Sequence, residues 1–167
     1  MVTRREILLG SAAAAAVAAA GIGIVRWRGG QATAATGGHF EVTKTPEEWR
    51  KILTPAQYAV LREEDTERPW TSPLNQEKRK GTFVCAGCEL PLFASETKFE
   101  SGTGWPSFYQ PIEGAVGTGE DWSFGLLREE VHCRRCGGHL GHIFNDGPKP
   151  TGLRYCINGV ALNFVPA

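Results

Sequence analysis

Cys156 lies in Gly152-Leu153-Arg154-Tyr155-Cys156-Ile157-Asn158, a stretch that reads as a strand. Strand alternation puts Arg154, Cys156 and Asn158 on one face and Tyr155 and Ile157 on the other. A lone cysteine is most often a small buried hydrophobe. A face combining a guanidinium, a thiol and an amide is nevertheless an odd core. It suits a reactive pocket, because a nearby cation lowers a thiol's pKa and favours the thiolate. Upstream runs a second polar cluster, Gly138-His139-Leu140-Gly141-His142-Ile143-Phe144-Asn145-Asp146-Gly147-Pro148. Its His139 and His142 could bind metal, but no carboxylate motif completes such a site. Acid–base work suits them better, since imidazole titrates closest to neutrality. A third piece is Ser101-Gly102-Thr103-Gly104-Trp105-Pro106-Ser107-Phe108. Its glycines let the backbone turn sharply and present Trp105, either as a core residue or as an aromatic wall for an apolar group.

The other four cysteines form two CxxC pairs, Cys85-Ala86-Gly87-Cys88 and Cys133-Arg134-Arg135-Cys136, separated by 44 residues. Two such knuckles supply the tetrahedral four-thiolate set that zinc prefers. The long gap means that the clamp would join two separate hairpins and pin a small sheet together. Two disulfides, or a thioredoxin-like redox centre, are the competing readings. The redox reading is weakened by the lack of a βαβ pattern around either pair. Four thiolates would leave no open position on the metal, so a zinc ion here would be structural.

The elements that must position these residues follow from punctuation. Thr45-Pro46-Glu47-Glu48 and Thr54-Pro55-Ala56-Gln57 each carry a Thr cap, Pro at the first helical position and Glu or Gln three residues after the cap. They predict two short helices, about 46–53 and 55–62, with Trp49, Ile52, Leu53, Tyr58 and Leu61 facing inward. After Arg62, short segments around Gly81–Cys85, Leu90–Phe93, Trp122–Leu127, Glu130–Cys133, Arg154–Asn158 and Ala161–Phe164 are separated by Gly, Pro, Asn or Asp. That texture is best read as antiparallel sheet.

The 167 residues suit one domain of modest core. The first 34 residues form a separate segment, with Arg4 and Arg5 directly before a weakly hydrophobic run from Ile7 to Val25. Arg26 and Arg28 follow, and then Ala32-Thr33-Ala34, the small-x-small form that a signal peptidase reads. The segment resembles a bacterial twin-arginine export signal; a membrane anchor is the alternative. Export would place the chain in the periplasm or another extracytoplasmic space, soluble if cleaved and membrane-held if not. What the resemblance implies is export of an already folded protein, with any metal acquired in the cytosol. Residues 35–40 read as a flexible lead-in and 41–167 as the folded domain. Of the chain's 18 basic and 18 acidic residues, 14 and 17 lie beyond residue 34. The mildly acidic body gives no sign of a nucleic-acid partner.

Taken together, the motifs closely resemble B-type methionine sulfoxide reductases, the family acting on the R epimer at sulfur. The markers are Lys44-Thr45-Pro46-Glu47-Glu48-Trp49, Leu61-Arg62, Thr66-Glu67-Arg68-Pro69, both CxxC pairs, Lys98 to Phe108, His139-Leu140-Gly141-His142 and Arg154-Tyr155-Cys156-Ile157-Asn158. Their order and spacing are very specific. The resemblance implies a mainly β fold of curled antiparallel sheets, with short N-terminal helices and a structural four-cysteine zinc site. It implies that Cys156 attacks the sulfoxide sulfur and that His142 protonates the oxygen, with His139 hydrogen-bonding beside it. Asn158 and Arg154 would set the geometry and charge around the thiolate, and Asp146 would orient the imidazole side. Trp105 and Phe144 would hold the substrate's ε-methyl, and Cys156 would become a sulfenic acid.

The chain departs from many members at Thr103, where they carry a resolving cysteine. If the CxxC thiols hold zinc, no cysteine remains to close a disulfide with Cys156. An external thiol reductant, such as a thioredoxin-like protein, is then expected to reduce the sulfenic acid directly. Oxidised proteins are the expected substrates, and a monomer is expected. A non-catalytic zinc-bound β module and a general thiol–disulfide exchanger are the rival readings.

Overall fold

A computed structural model describes residues 40–167. The expected export segment 1–34 and nearly all of the lead-in lie outside the described residues. Among the described residues, no helix is long and apolar enough to cross a membrane.

Both expected helices form. Helix α1 spans Pro46–Ile52 and α2 spans Pro55–Glu63. Each starts with a complete capping box. The Thr45 hydroxyl accepts from the Glu48 amide at 3.2 Å, and the Glu48 carboxylate accepts from the Thr45 amide at 2.8 Å. Thr54 and Gln57 repeat the exchange at 3.2 and 3.0 Å. Such a cap is worth about 1 kcal/mol, which matters for helices too short to persist alone. Trp49, Leu53 and Leu61 are buried and Tyr58 half-buried, as their spacing predicts. Ile52 is not: it is 56% exposed, because the helix ends there and Leu53 takes the inward position.

Among the described residues, nine strands follow: β1 Gly81–Cys85, β2 Pro91–Ala94, β3 Lys98–Phe99, β4 Ser107–Phe108, β5 Val116–Asp121, β6 Arg128–Cys133, β7 His139–Phe144, β8 Arg154–Ile157 and β9 Leu162–Pro166. They form two antiparallel sheets, one ordered β2-β1-β9 and the other β3-β4-β8-β7-β6-β5. The core lies where Phe83 and Phe93 of the small sheet meet Phe108 of the large one, with the Phe93 and Phe108 rings stacked at 4.3 Å. Val131, Leu140 and Ile157 are fully buried with them. Each such side chain contributes roughly 1.5–3 kcal/mol through burial.

The segment Trp122–Leu127, expected as a strand, is instead a turn built on a 3-10 stretch, Ser123–Gly125. Its apolar content misleads, since Trp122 and Leu126 are 68% and 67% exposed. Asp121 accepts from the Ser123 amide and Gly125 takes a φ of 72°, a conformation other residues resist. Conversely, β5 is a strand despite two glycines, and the histidine cluster forms β7. Their pairing partners supply the ladder that local propensity does not.

Candidate active site and four-cysteine cluster

Alternation along the large sheet puts its buried apolar residues on one face and its polar groups on the other. Across the sheet, Glu130 pairs with His142, His142 with Cys156, and Cys156 with Ser107. One row of a single face therefore carries a carboxylate, an imidazole, a thiol and a hydroxyl. A second row pairs Asp121 with Arg128 and Phe144 with Arg154. Strands β7 and β8 approach closely at Gly141, where a Cβ would overlap the Cys156 carbonyl. That contact explains the glycine between the two histidines.

Cys156 is half-buried beneath the loop that precedes β4. Thr103 Oγ1 lies 3.9 Å from its sulfur. A hydroxyl chain continues from Thr103 to Ser101 at 2.8 Å and on to the fully buried Ser107 at 2.7 Å. Arg154, on the same strand face, is buried, stacks on Phe144 at 4.2 Å and pairs with Asp146 through two bonds of 2.8 and 2.9 Å. Burial pushes the Cys156 thiol up, and the Arg154 charge with the Thr103 hydroxyl recovers only part of that shift. The expected cation effect is present, but desolvation outweighs it.

Asp146 pairs with Arg154 rather than with either imidazole, which departs from the orienting role expected for it. Other carboxylates hold the rings. His142 Nε2 lies 2.8 Å from Asp121, and His139 Nδ1 lies 2.7 Å from Glu130. The two rings meet edge to face at 5.4 Å. Burial pushes His142 down, with Asp121 opposing. Burial raises Glu130, but hydrogen bonds from His132 and His139 overcome it and bring the carboxyl down to about 2. Among the described residues, Nε2 of His139 is buried without a hydrogen-bond partner.

Asn158 spends its side chain on the scaffold. Its Oδ1 accepts from the Glu67 amide at 3.0 Å, and its Nδ2 donates to the Leu140 carbonyl at 3.1 Å. Glu67 in turn accepts from the amides of Gly159 and Val160 at 2.6 and 3.0 Å, while its carbonyl takes the Trp105 indole N–H at 3.1 Å. The 66–71 loop thus ties Trp105 to the end of β8. Asp121, Glu130 and Glu67 are site residues that sequence reasoning missed. The alternation Arg128, Glu130, His132 was a visible signal that β6 turns a charged face outward from the core.

The two knuckles converge. Each begins at a strand's end, Cys85 on β1 and Cys133 on β6, and all four sulfurs lie within 4.8 Å of one another. The closest sulfurs come from different knuckles: Cys85 and Cys136 at 3.8 Å, and Cys88 and Cys133 at 3.5 Å. A tetrahedral zinc with bonds of about 2.3 Å requires sulfur spacings of about 3.8 Å. Crowding splits the thiols' acidities. Cys133 is pushed down by Cys136, Cys85 and Cys88, while Cys85 and Cys136 are pushed up, chiefly by Cys133. The four-thiol donor set and its spacing suit a structural zinc. Arg62 of α2 braces this corner, donating to the carbonyls of Cys136 and Gly137 at 2.9 Å each.

Residues 53–166 match the SelR domain family. The chain is 56% identical over 127 residues to a peptide methionine sulfoxide reductase MsrB of Leptospira interrogans serogroup Icterohaemorrhagiae serovar Lai (strain 56601), covering 75% of this chain and 97% of that relative. It is 58% identical over 127 residues to the MsrB of Pseudomonas putida (strain W619), covering 75% and 96%. To the MsrB of Methanosarcina barkeri (strain Fusaro / DSM 804) it is 59% identical over 124 residues, covering 74% and 87%. Together with the polar face, the half-buried thiol and the four-cysteine cluster, these similarities assign the chain to the SelR-domain family, that of the MsrB peptide methionine sulfoxide reductases.

Proposed function

We propose that this protein reduces the R epimer of methionine sulfoxide in oxidised proteins to methionine, with Cys156 as the nucleophile. The observation that carries this reading is the direct cross-strand pairing of Cys156 with His142 on one polar face. A sulfoxide sulfur becomes electrophilic once its oxygen is protonated or hydrogen-bonded, so thiolate and acid must converge. The Cys156 sulfur bonds to the sulfoxide sulfur while His142 supplies a proton to the oxygen, and the uncommitted Nε2 of His139 hydrogen-bonds beside it. The oxygen passes to Cys156 as hydroxyl, the former sulfoxide leaves as the thioether, and Cys156 is left as a sulfenic acid. Arg154, held by Asp146, offsets the desolvation of the thiolate. Trp105 and Phe144 supply apolar surface for the methyl group, and Asn158 fixes the loop that carries the Trp105 contact.

Recycling takes two electrons from outside. A first external thiol condenses with the sulfenic acid, releasing water and forming a mixed disulfide. A second thiol, or the second sulfur of a dithiol such as a thioredoxin-like protein, releases Cys156. Thr103 beside the sulfur and the commitment of the other four cysteines to their own cluster support this direct route. Zinc held by Cys85, Cys88, Cys133 and Cys136 would crosslink β1 and β6 and take no part in the reaction. Export by the twin-arginine route into the periplasm, and a monomeric state, complete the reading. Arg4, Arg5 and the small residues near Ala34 support the export assignment.

The decisive measurement is turnover of separated R and S sulfoxide epimers by purified protein with dithiothreitol. Reduction of the R epimer alone, abolished in Cys156→Ser with folding retained, is expected. Unchanged turnover in that variant would refute the assignment. Cell fractionation with N-terminal sequencing tests export, and a cytosolic chain that keeps residue 1 would overturn it.

A further inference from the structure

The proposed reaction needs a charged imidazole at His142, in a place where burial works against charge. We infer that Asp121 is the positioning residue for His142 and that Arg128 and Ser123 hold its carboxylate for that task. This inference rests on the reductase reading above. Asp121 ends β5, Arg128 begins β6, and the two are register partners that close the 122–127 turn. The Asp121 carboxylate receives four donors: Arg128 Nη2 at 2.6 Å, the Ser123 amide at 2.7 Å, the Ser123 hydroxyl at 3.0 Å and His142 Nε2 at 2.8 Å. Two oxygens shared among four donors cannot swing away, so the ring they hold is fixed as well.

The consequence is chemical as well as geometric. Donation from Nε2 to Asp121 selects the ring's tautomer and leaves Nδ1 as the nitrogen that exchanges a proton. When His142 becomes imidazolium, Asp121 balances the charge inside a poorly hydrated site. The charged and titratable groups around His142 are Asp121 on β5, Arg128 and Glu130 on β6, His139 on β7, and Cys156 and Arg154 on β8. Arg128 and His139 oppose its protonation and Asp121 favours it. Arg128 therefore plays two parts, since it anchors the carboxylate while its own charge disfavours the imidazolium. Neutralising Asp121 would remove the carboxylate that favours the imidazolium and leave the opposing effect of Arg128 in place.

The test uses Asp121→Asn and Asp121→Glu in the full chain. The His142 ring is titrated by nuclear magnetic resonance, and kcat/KM for an R-sulfoxide is measured across pH. In Asp121→Asn the His142 midpoint moves down and kcat/KM falls on the order of 100-fold, while Asp121→Glu recovers part of both. A His142 midpoint that stays in place, with or without lost activity, overturns the inference. If Asp121→Asn unfolds by circular dichroism, Ser123→Ala takes its place. That variant keeps the carboxylate but loosens it, and should move the same midpoint down by less; no movement overturns the inference. The ring titration needs no turnover, so wild-type protein inactive on both epimers would refute the reductase reading and leave the Asp121–His142 pairing to be judged separately.

Discussion

His142 and Cys156 face each other as direct partners across the β7–β8 ladder. They stand 14 positions apart in the chain, and only the antiparallel return through the 145–153 connection brings them together. Paired residues on one face of a sheet have Cβ atoms about 4.5–5.5 Å apart. A small sulfoxide group can thus be reached by a sulfur and a proton donor at once.

Arg154 should set how readily Cys156 ionises. Its charge opposes the burial that raises the thiol's pKa. Arg154→Met therefore displaces the pH dependence of Cys156 alkylation to higher pH and slows alkylation at neutral pH severalfold. Iodoacetamide kinetics followed by mass spectrometry check this. Alkylation as fast as in wild type would mean that the Arg154–Asp146 pair leaves no field at the sulfur.

Thr103 marks where an internal resolving thiol would sit. With Thr103 Oγ1 at 3.9 Å from the Cys156 sulfur, Thr103→Cys needs only a small local shift to close a disulfide. One equivalent of sulfoxide should then consume two thiols and yield that disulfide. Thiol counting and peptide mapping after a single turnover would reveal it. A persistent sulfenic acid would show that the 101–105 loop holds the sulfurs apart.

Removal of metal should destabilise the domain broadly. The four sulfurs gather from the end of β1 in the small sheet and the end of β6 in the large one, so a zinc held by them would crosslink the two sheets. Cys88→Ser, which removes the half-buried ligand, is expected to lower zinc content and to cost several kcal/mol in chemical unfolding. Full stability with no bound zinc would exclude a structural metal.

Acid stability should depend on Glu130. Its carboxyl lies at about 2 in the folded protein against an ordinary value of 4.5. A depressed folded value means that the group's stabilisation is fully present above 4.5 and is lost as pH falls from there toward 2. Glu130→Gln should be less stable than wild type at neutral pH, with a flatter decline over that window. Parallel curves of unfolding free energy against pH would argue that His132 and His139 do not stabilise this charge.

Much of this protein is written locally. Thr-Pro openings with Glu or Gln three residues after the cap determine both helix starts, because a capping box involves only neighbouring residues. The CxxC spacing determines that two sulfurs of each knuckle can point to one place. Alternation at Arg154 and Cys156 determines that they share a face of β8, whereas Asn158 lies just past the strand's end. Other features belong to the tertiary structure alone. Asp121 reaches His142 across 21 positions, Glu130 serves His139 rather than standing as a surface acid, and Asp146 goes to Arg154 instead of an imidazole. The apolar run Trp122–Leu127 becomes an exposed turn, and glycine-rich β5 becomes a strand. A carboxylate's choice of partner is made by sheet register and by competition among donors, neither of which is encoded in its own few neighbours. The balance between burial and charge at Cys156 is likewise decided only once the chain has closed around it.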